Sequence, residues 1–178
     1  MAIVINGSGS VTGITTRLAA AAAPAGSVIQ TVSATNTGTQ SYSGTNTWHT
    51  AMSINITPTS ATSKVFVAFN MNIGIGSTGA GSGTKILRGS TEILRGDAEG
   101  SRDRGQVAQF TCYSNNTNTI RYVSPSVLDS PSTTSQVTYN FQVFSSSQDV
   151  YINRTHEDPN DAGVVRGSSF VYAMEIAA

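Results

Sequence analysis

Lys64-Val-Phe-Val-Ala-Phe-Asn-Met-Asn-Ile-Gly-Ile-Gly76 decides the fold. Val65, Val67, Phe69, Met71, Ile73 and Ile75 fall on one side of an extended chain, and Ala68, Asn70, Asn72 and Gly74 on the other. Successive side chains of a strand point to opposite faces. A period of two held this long therefore predicts a strand with one face in a core and the other against water or a neighbouring subunit. Three more runs repeat the pattern: Trp48, Met52, Ile54 and Ile56; Val137, Tyr139, Phe141 and Val143; Phe170, Tyr172, Met174 and Ile176. These four runs are the expected core. Weaker strands are expected over 27–34, over 85–88 paired with 92–95 across Gly89-Ser90-Thr91, and over 106–114, 118–123 and 149–153. Eight or nine strands joined by turn residues, with no long helical period, predict an all-β fold: an antiparallel β-sandwich of jelly-roll type.

The chain has 178 residues, enough for one domain or one domain with a tail. Only 11% of residues are charged, where about 25% is usual, while a quarter of the chain is Ser or Thr. Ten basic and ten acidic residues cancel, and the only lysines are Lys64 and Lys85. No cationic field gathers nucleic acid or an anionic bilayer, so neither is an expected partner. The single Cys112 can form no internal disulfide, Met1 opens no export signal, and the longest apolar stretch, 18–25, is too short to span a membrane. Synthesis in a reducing cytoplasm is the expectation. Faces rich in Thr, Ser and Asn, without Lys and Glu to keep copies apart, predict self-association, and closed three-fold symmetry would cover strand edges.

Residues 1–26 differ from the rest. Ala2-Ile-Val-Ile5 is strand-like, Asn6-Gly7 and Ser8-Gly9-Ser10 are turn chemistry, and Val11-Thr-Gly-Ile14 is extended again. A brief helix is expected over 15–23, capped by Thr15 or Thr16 and stopped by Pro24. Two turns of helix are unstable alone in water and isolated strands leave bare edges, so this arm needs a surface to lie on. The expected division is an N-terminal arm, 1–26, and a knob, 27–178.

Several motifs invite a chemical reading, and each has a plainer one. Glu157, Asp158, Asn160 and Asp161 could supply oxygens to calcium, but their spacing fits no 12-residue calcium loop, and an exposed acidic turn is the better account. No metal is expected. His49, beside Trp48, reads as a packing or capping residue. Asp97, Glu99, Arg102, Asp103 and Arg104 form a charge cluster in which two carboxylates could perform acid and base work on a glycosidic bond; mutual Asp–Arg pairing is the stronger expectation. The run Gly74, Gly76, Gly79, Gly81 and Gly83 lacks the Lys-Ser/Thr ending and following helix of a phosphate loop, and reads as a connection between strands. Two histidines and no Gly-x-Ser-x-Gly elbow give no Ser-His-Asp arrangement. Cys112 reads as a small core residue. Neither enzymatic activity nor a cofactor is expected.

Met1 to Thr15 resembles the opening of many tailed-bacteriophage structural proteins. The stretches from Ile56 to Val65 (ITPTSATSKV), Ile86 to Ile93 (ILRGSTEI), Leu128 to Thr134 (LDSPSTT) and Val150 to Thr155 (VYINRT) resemble a domain of phage fibre tips and head-decoration proteins. The resemblance spans most of the chain. It implies a virion component: a homotrimer with a TNF-like jelly-roll knob, made in the host cytoplasm and mounted by its N-terminal arm. With only about 26 residues before the knob there is no room for a shaft, which favours a capsid decoration (cement) protein on the head exterior over a tail-tip receptor binder. On that reading Ile3, Val4 and Ile5 add a strand to a sheet edge of the major capsid protein or another virion protein, and Val11, Ile14 and Leu18 fill shallow apolar pockets. The alternative is a short head or tail fibre that recognises host surface glycans, with Tyr42, Trp48, Tyr113 and Tyr122 as the aromatics that stack on sugars.

Overall fold

A computed structural model of the chain describes residues 4–5, 11–12, 23–44, 46–76, 81–108 and 118–178. Among these the chain is all-β, with twelve strands in two antiparallel sheets that face each other as a jelly-roll-like sandwich. Two further short strands, β1 (Val4–Ile5) and β2 (Val11–Thr12), pair with each other as a separate antiparallel ladder, Val4 opposite Thr12 and Ile5 opposite Val11. The helix expected over 15–23 lies almost wholly outside the described residues, as do Cys112 and most of the strand expected over 106–114.

The strand that sequence periodicity singles out is β6 (Lys64–Ile75), and it organises the larger sheet. One of its edges carries β14 (Ser169–Ile176) along residues 64–70 and β13 (Val150–Ile152) along 73–75. The other edge carries β11 (Ser126–Asp129) and β10 (Ile120–Val123), consecutive strands interrupted at Pro125. Proline has no N–H to give a ladder, but its carbonyl still accepts the Phe69 N–H at 3.0 Å. Strands β3 (Val28–Asn36) and β4 (Gln40–Tyr42) pair with β14 and β13.

The smaller sheet runs β5 (Thr47–Ile56), β12 (Val137–Ser145), β7 (Ser82–Arg88), with β8 (Thr91–Ile93) and β9 (Val107–Ala108) on the outer edge of β7. β7 and β8 form the expected hairpin in a different register: Thr91, expected in the loop, pairs with Arg88, and the partner strand is 91–93 in place of the expected 92–95. Its two-residue loop begins with Gly89 at φ +60°, a position where glycine carries no steric cost.

Between the sheets, Val65, Val67, Phe69, Met71, Ile73 and Ile75 of β6 meet Ile54, Ile56, Tyr139, Phe141 and Val143, all buried. The Phe69 and Phe141 rings, 5.4 Å apart, join the two layers. Two buried carboxylates fasten the ends. Asp129 accepts Arg88 Nη1 on both oxygens at 2.9 Å and the Tyr139 hydroxyl at 2.8 Å, tying β11 to the opposite sheet. Burial, and then the Asp129 carboxylate, push the Tyr139 hydroxyl far above its ordinary pKa. Glu175 is fully buried and accepts Thr59 N and Oγ1 at 2.8 Å and Gln30 Nε2 at 2.6 Å. Burial works to raise its pKa, but the Thr59 and Gln30 donors around it outweigh that and hold the carboxyl below its ordinary value.

Trp48 departs from the core run in which the sequence places it. Met52 pairs with Phe141, but Thr50 pairs with Gln142, so Ala51 is the extra residue of a β-bulge. The bulge inverts the phase: His49 comes level with inward-facing Val143, and Trp48 with Phe144 on the outer face.

Candidate functional site

The second correction to the expected core defines a surface. On β14, Val171 lies opposite Phe69 and Ala173 opposite Val67, and all four are completely buried. Phe170, Tyr172, Met174 and Ile176 therefore stand on the outer face of the larger sheet: Phe170 is 42% exposed and the other three are half-buried. The interior beside Phe69 and Phe141 has room only for small neighbours, so Val171 and Ala173 take the inside and the large side chains turn out.

Neighbouring strands continue the apolar row. Phe66 pairs with Met174 and with Leu128, which is 52% exposed. Tyr172 packs on Phe66 at 6.2 Å and on Phe170 at 6.5 Å. Exposed Thr31, Ser33 and Thr35 of β3 flank the row, and the register brings it one charge, Lys64 beside Ile176. The exposed parts of these side chains form a continuous apolar row on the outer face of the larger sheet. The outer face of the smaller sheet is the opposite kind. There the polar pairs bond within the chain: Ser53 to Asn140 and Thr138 to Asn55 at 2.7 Å, and Gln142 to Thr50 at 3.1 Å.

A cleft of about 730 Å³ opens on that second face, lined by Trp48, Phe144, Asn46, Gly81, Ser82, Gly83, Ser101, Arg102, Asp103, Gly105 and Ser146. Trp48 stacks on Phe144 at 5.0 Å, and the Lys85 ammonium lies 4.3 Å from the Trp48 ring centre. Lys85 is held there by Glu92 at 2.6 Å, and Glu92 by Arg95 at 2.8 Å. The hydrogen bond from Lys85, followed by the Lys85, Arg95 and Arg104 charges, keeps the Glu92 carboxyl below its ordinary pKa. The far wall is the 94–106 loop, pressed against β7 by the bond from Gln106 N to Thr84 O at 2.7 Å. Only glycine permits that approach at Gly105, where a Cβ would stand 2.7 Å from the same oxygen.

Features that the sequence treats separately meet in this cleft: Trp48, the last glycines of the glycine-rich connection, and the charge cluster. The mutual pairing expected within that cluster is not how it is held. No ion pair joins Asp97, Glu99, Arg102, Asp103 and Arg104 to one another among the described residues. Instead Arg104 Nε bonds Gly96 O at 2.6 Å and Asp97 accepts the Ala98 N–H at 2.8 Å.

The four aromatics proposed for sugar contact do not share one site. Tyr42 is half-buried and stacks on His49 at 5.3 Å, with its hydroxyl near Gln40 and Thr50 O and its pKa raised by burial. Tyr122 is in the same larger sheet as Tyr42 but on β10, beyond β6; it is 59% exposed and donates to Asn70 Oδ1 at 2.6 Å. Tyr113 lies outside the described residues. Of the arm residues proposed for capsid contact, Val4, Ile5 and Val11 lie in the β1–β2 ladder, and Ile3, Ile14 and Leu18 lie outside the described residues. The acidic turn is internally held: Asp158 pairs with Arg166, whose hydrogen bond lowers the Asp158 pKa, and Asp161 accepts Gly163 N at 2.7 Å. No group of three or more His, Cys, Asp or Glu side chains suited to a metal occurs among the described residues, and no helix long and apolar enough to cross a membrane occurs among them.

No protein-family model matches the chain, and no curated protein matches it. Among solved structures, a chain from T=1 particles derived from infectious bursal virus aligns over 85% of this chain at 13% identity, with a TM-score of 0.41. A chain from the Gx strain of infectious bursal disease virus aligns over 85% at 12% identity, with a TM-score of 0.38. This chain spans 37% and 38% of the length of those two.

Proposed function

We propose that this protein is a bacteriophage capsid decoration (cement) protein: a homotrimer, without catalytic activity, that binds the head exterior through its N-terminal arm and stabilises the shell. The observation that carries the reading is the outer face of the larger sheet. A strand that hides Val171 and Ala173 while leaving Phe170, Tyr172 and Met174 in water leaves favourable burial unrealised in a single copy. The occupant that fits is a second copy of the chain. A face with one charge at its end offers a charged partner nothing to pair with, and three copies can each turn this apolar row inward toward a common three-fold axis. The β1–β2 ladder is a sheet of its own, as an arm that docks elsewhere requires. Three such arms on one trimer bind by avidity, and binding to the closed shell alone adds to its stability.

The test is co-sedimentation with heads purified from the phage whose genome encodes the chain. Full-length protein should pellet with the heads and raise their temperature of disruption. A chain lacking residues 1–25 should stay in the supernatant as a folded oligomer. Pelleting of the truncated chain would overturn the role of the arm, and failure of the full chain to bind heads would overturn the decoration role.

A further inference from the structure

β3 ends the larger sheet, and no strand pairs with its far edge among the described residues. Backbone alternation shows what that edge presents. On β6 the Phe69 N–H goes to Pro125 O, away from β14. The groups of Phe66 and Ala68 therefore meet those of Met174 and Tyr172, and the groups of Ala173 and Val171 turn the other way to Val32 and Ala34. The N–H and C=O groups of Thr31, Ser33 and Thr35 are left pointing off the sheet. The other sandwich edges among the described residues are blunted. β4 and β8 have three residues each and β9 two, β10 and β11 are parted by Pro125, and β5 is broken by its bulge at Ala51. β3 has nine residues with no charge and no proline, and its register with β14 is unbroken from Gln30 to Asn36.

We propose that β3 accepts an extended, uncharged segment of the shell protein as an added strand. The proposal rests on the decoration reading and gives it a second contact. The occupant follows from where the arm leaves the knob. Gly26 N is bonded to Ala177 O at 2.8 Å and Ala177 N to Ser27 O at 2.9 Å, so the arm departs from a fixed point two residues before Val28. An arm lying on the shell brings the start of β3 to that surface, and the open edge runs on from there for about 30 Å. The chain's own arm strands do not supply the occupant, since β1 and β2 pair with each other. The edge also states the chemistry of its partner. Val32 and Ala34 pack on the core but are only half-buried, so the side chains that come beside them are apolar. Those that come level with exposed Thr31, Ser33 and Thr35 are β-branched or hydroxyl-bearing, and a charged segment would find no counter-charge on β3.

Hydrogen exchange of the full-length protein, read over 28–36 by mass spectrometry when free and when bound to purified heads, tests it. The Thr31, Ser33 and Thr35 amides should exchange readily in the free protein and slow by about tenfold or more on heads. Ser33→Pro removes one outward N–H and leaves the β14 ladder whole, so it should keep the wild-type fold and mass while its affinity for heads falls about tenfold or more. Should that variant fail to fold, the exchange measurement on the wild type decides. Unchanged exchange on heads overturns the proposal, and so does a folded Ser33→Pro variant that binds like the wild type; either result leaves the arm and the decoration role standing. Slow exchange already present in the free protein and lost on dilution would assign the edge to a second copy and overturn it as well. A full-length protein that does not bind heads removes the decoration reading, and this proposal falls with it.

Discussion

Replacing Glu175 with Gln tests whether the buried carboxylate fastens β14 to the 57–60 turn. Three short hydrogen bonds reach it: from Thr59 N, Thr59 Oγ1 and Gln30 Nε2. A hydrogen bond to a charged group is worth about 1 kcal/mol more than one to a neutral group, so the change forfeits about 3 kcal/mol, less what the neutral amide recovers in desolvation. The new amide nitrogen also meets the Gln30 amide donor unless one of them turns. A net loss of about 2–3 kcal/mol lowers the melting midpoint of a chain this size by about 4–12 °C. The pH dependence gives a second, independent reading. Because the folded-state pKa lies below the ordinary value of 4.5, the carboxylate's contribution is fully present above that pH and fades as pH falls toward the folded value. The gap between wild type and Glu175→Gln should therefore be widest at neutral pH and shrink below about pH 4.5. Calorimetry at pH 7, 5 and 3, at one fixed protein concentration, checks both. A variant that melts within about 1 °C of wild type at pH 7, or a gap that widens on acidification, would refute the reasoning.

Two further substitutions probe the sandwich and the cleft wall. Tyr139→Phe strips one donor from the buried Asp129 and should cost about 1–3 kcal/mol in chemical denaturation; no loss would mean that Arg88 alone satisfies the carboxylate. Gly105→Ala forces a Cβ to within 2.7 Å of the Thr84 carbonyl and should destabilise the protein by about 1–3 kcal/mol while speeding hydrogen exchange at the Gln106 amide; unchanged exchange would show that the loop is not held by that bond.

The fold was legible where large apolar residues alternate with small or polar ones. β6 and β12 read correctly because a single face of each strand carries nearly all its bulk. β14 misled because both of its faces are apolar; the choice between Phe170-Tyr172-Met174 and Val171-Ala173 is made by the space left beside Phe69 and Val67, which lie a hundred residues away in sequence. Trp48 misled through a single bulged residue that no local signal announces. β4 and β11, at three and four residues, are too short to show a period. The cleft was legible only as fragments. Trp48, Gly81 and Arg102 are each visible as sequence features, but their meeting depends on a loop folding back onto β7.

The most direct measurement is the mass of the protein in dilute solution, by sedimentation equilibrium, for the wild type and for Phe170→Asp. Phe170 is 42% exposed and faces away from the core, so the substitution should leave the sandwich folded. The account predicts a wild-type particle of three 18.5 kDa chains and a variant that sediments as one. A wild-type monomer, or a variant that stays trimeric with an aspartate in place of the most exposed side chain that β14 gives to the apolar row, would contradict it.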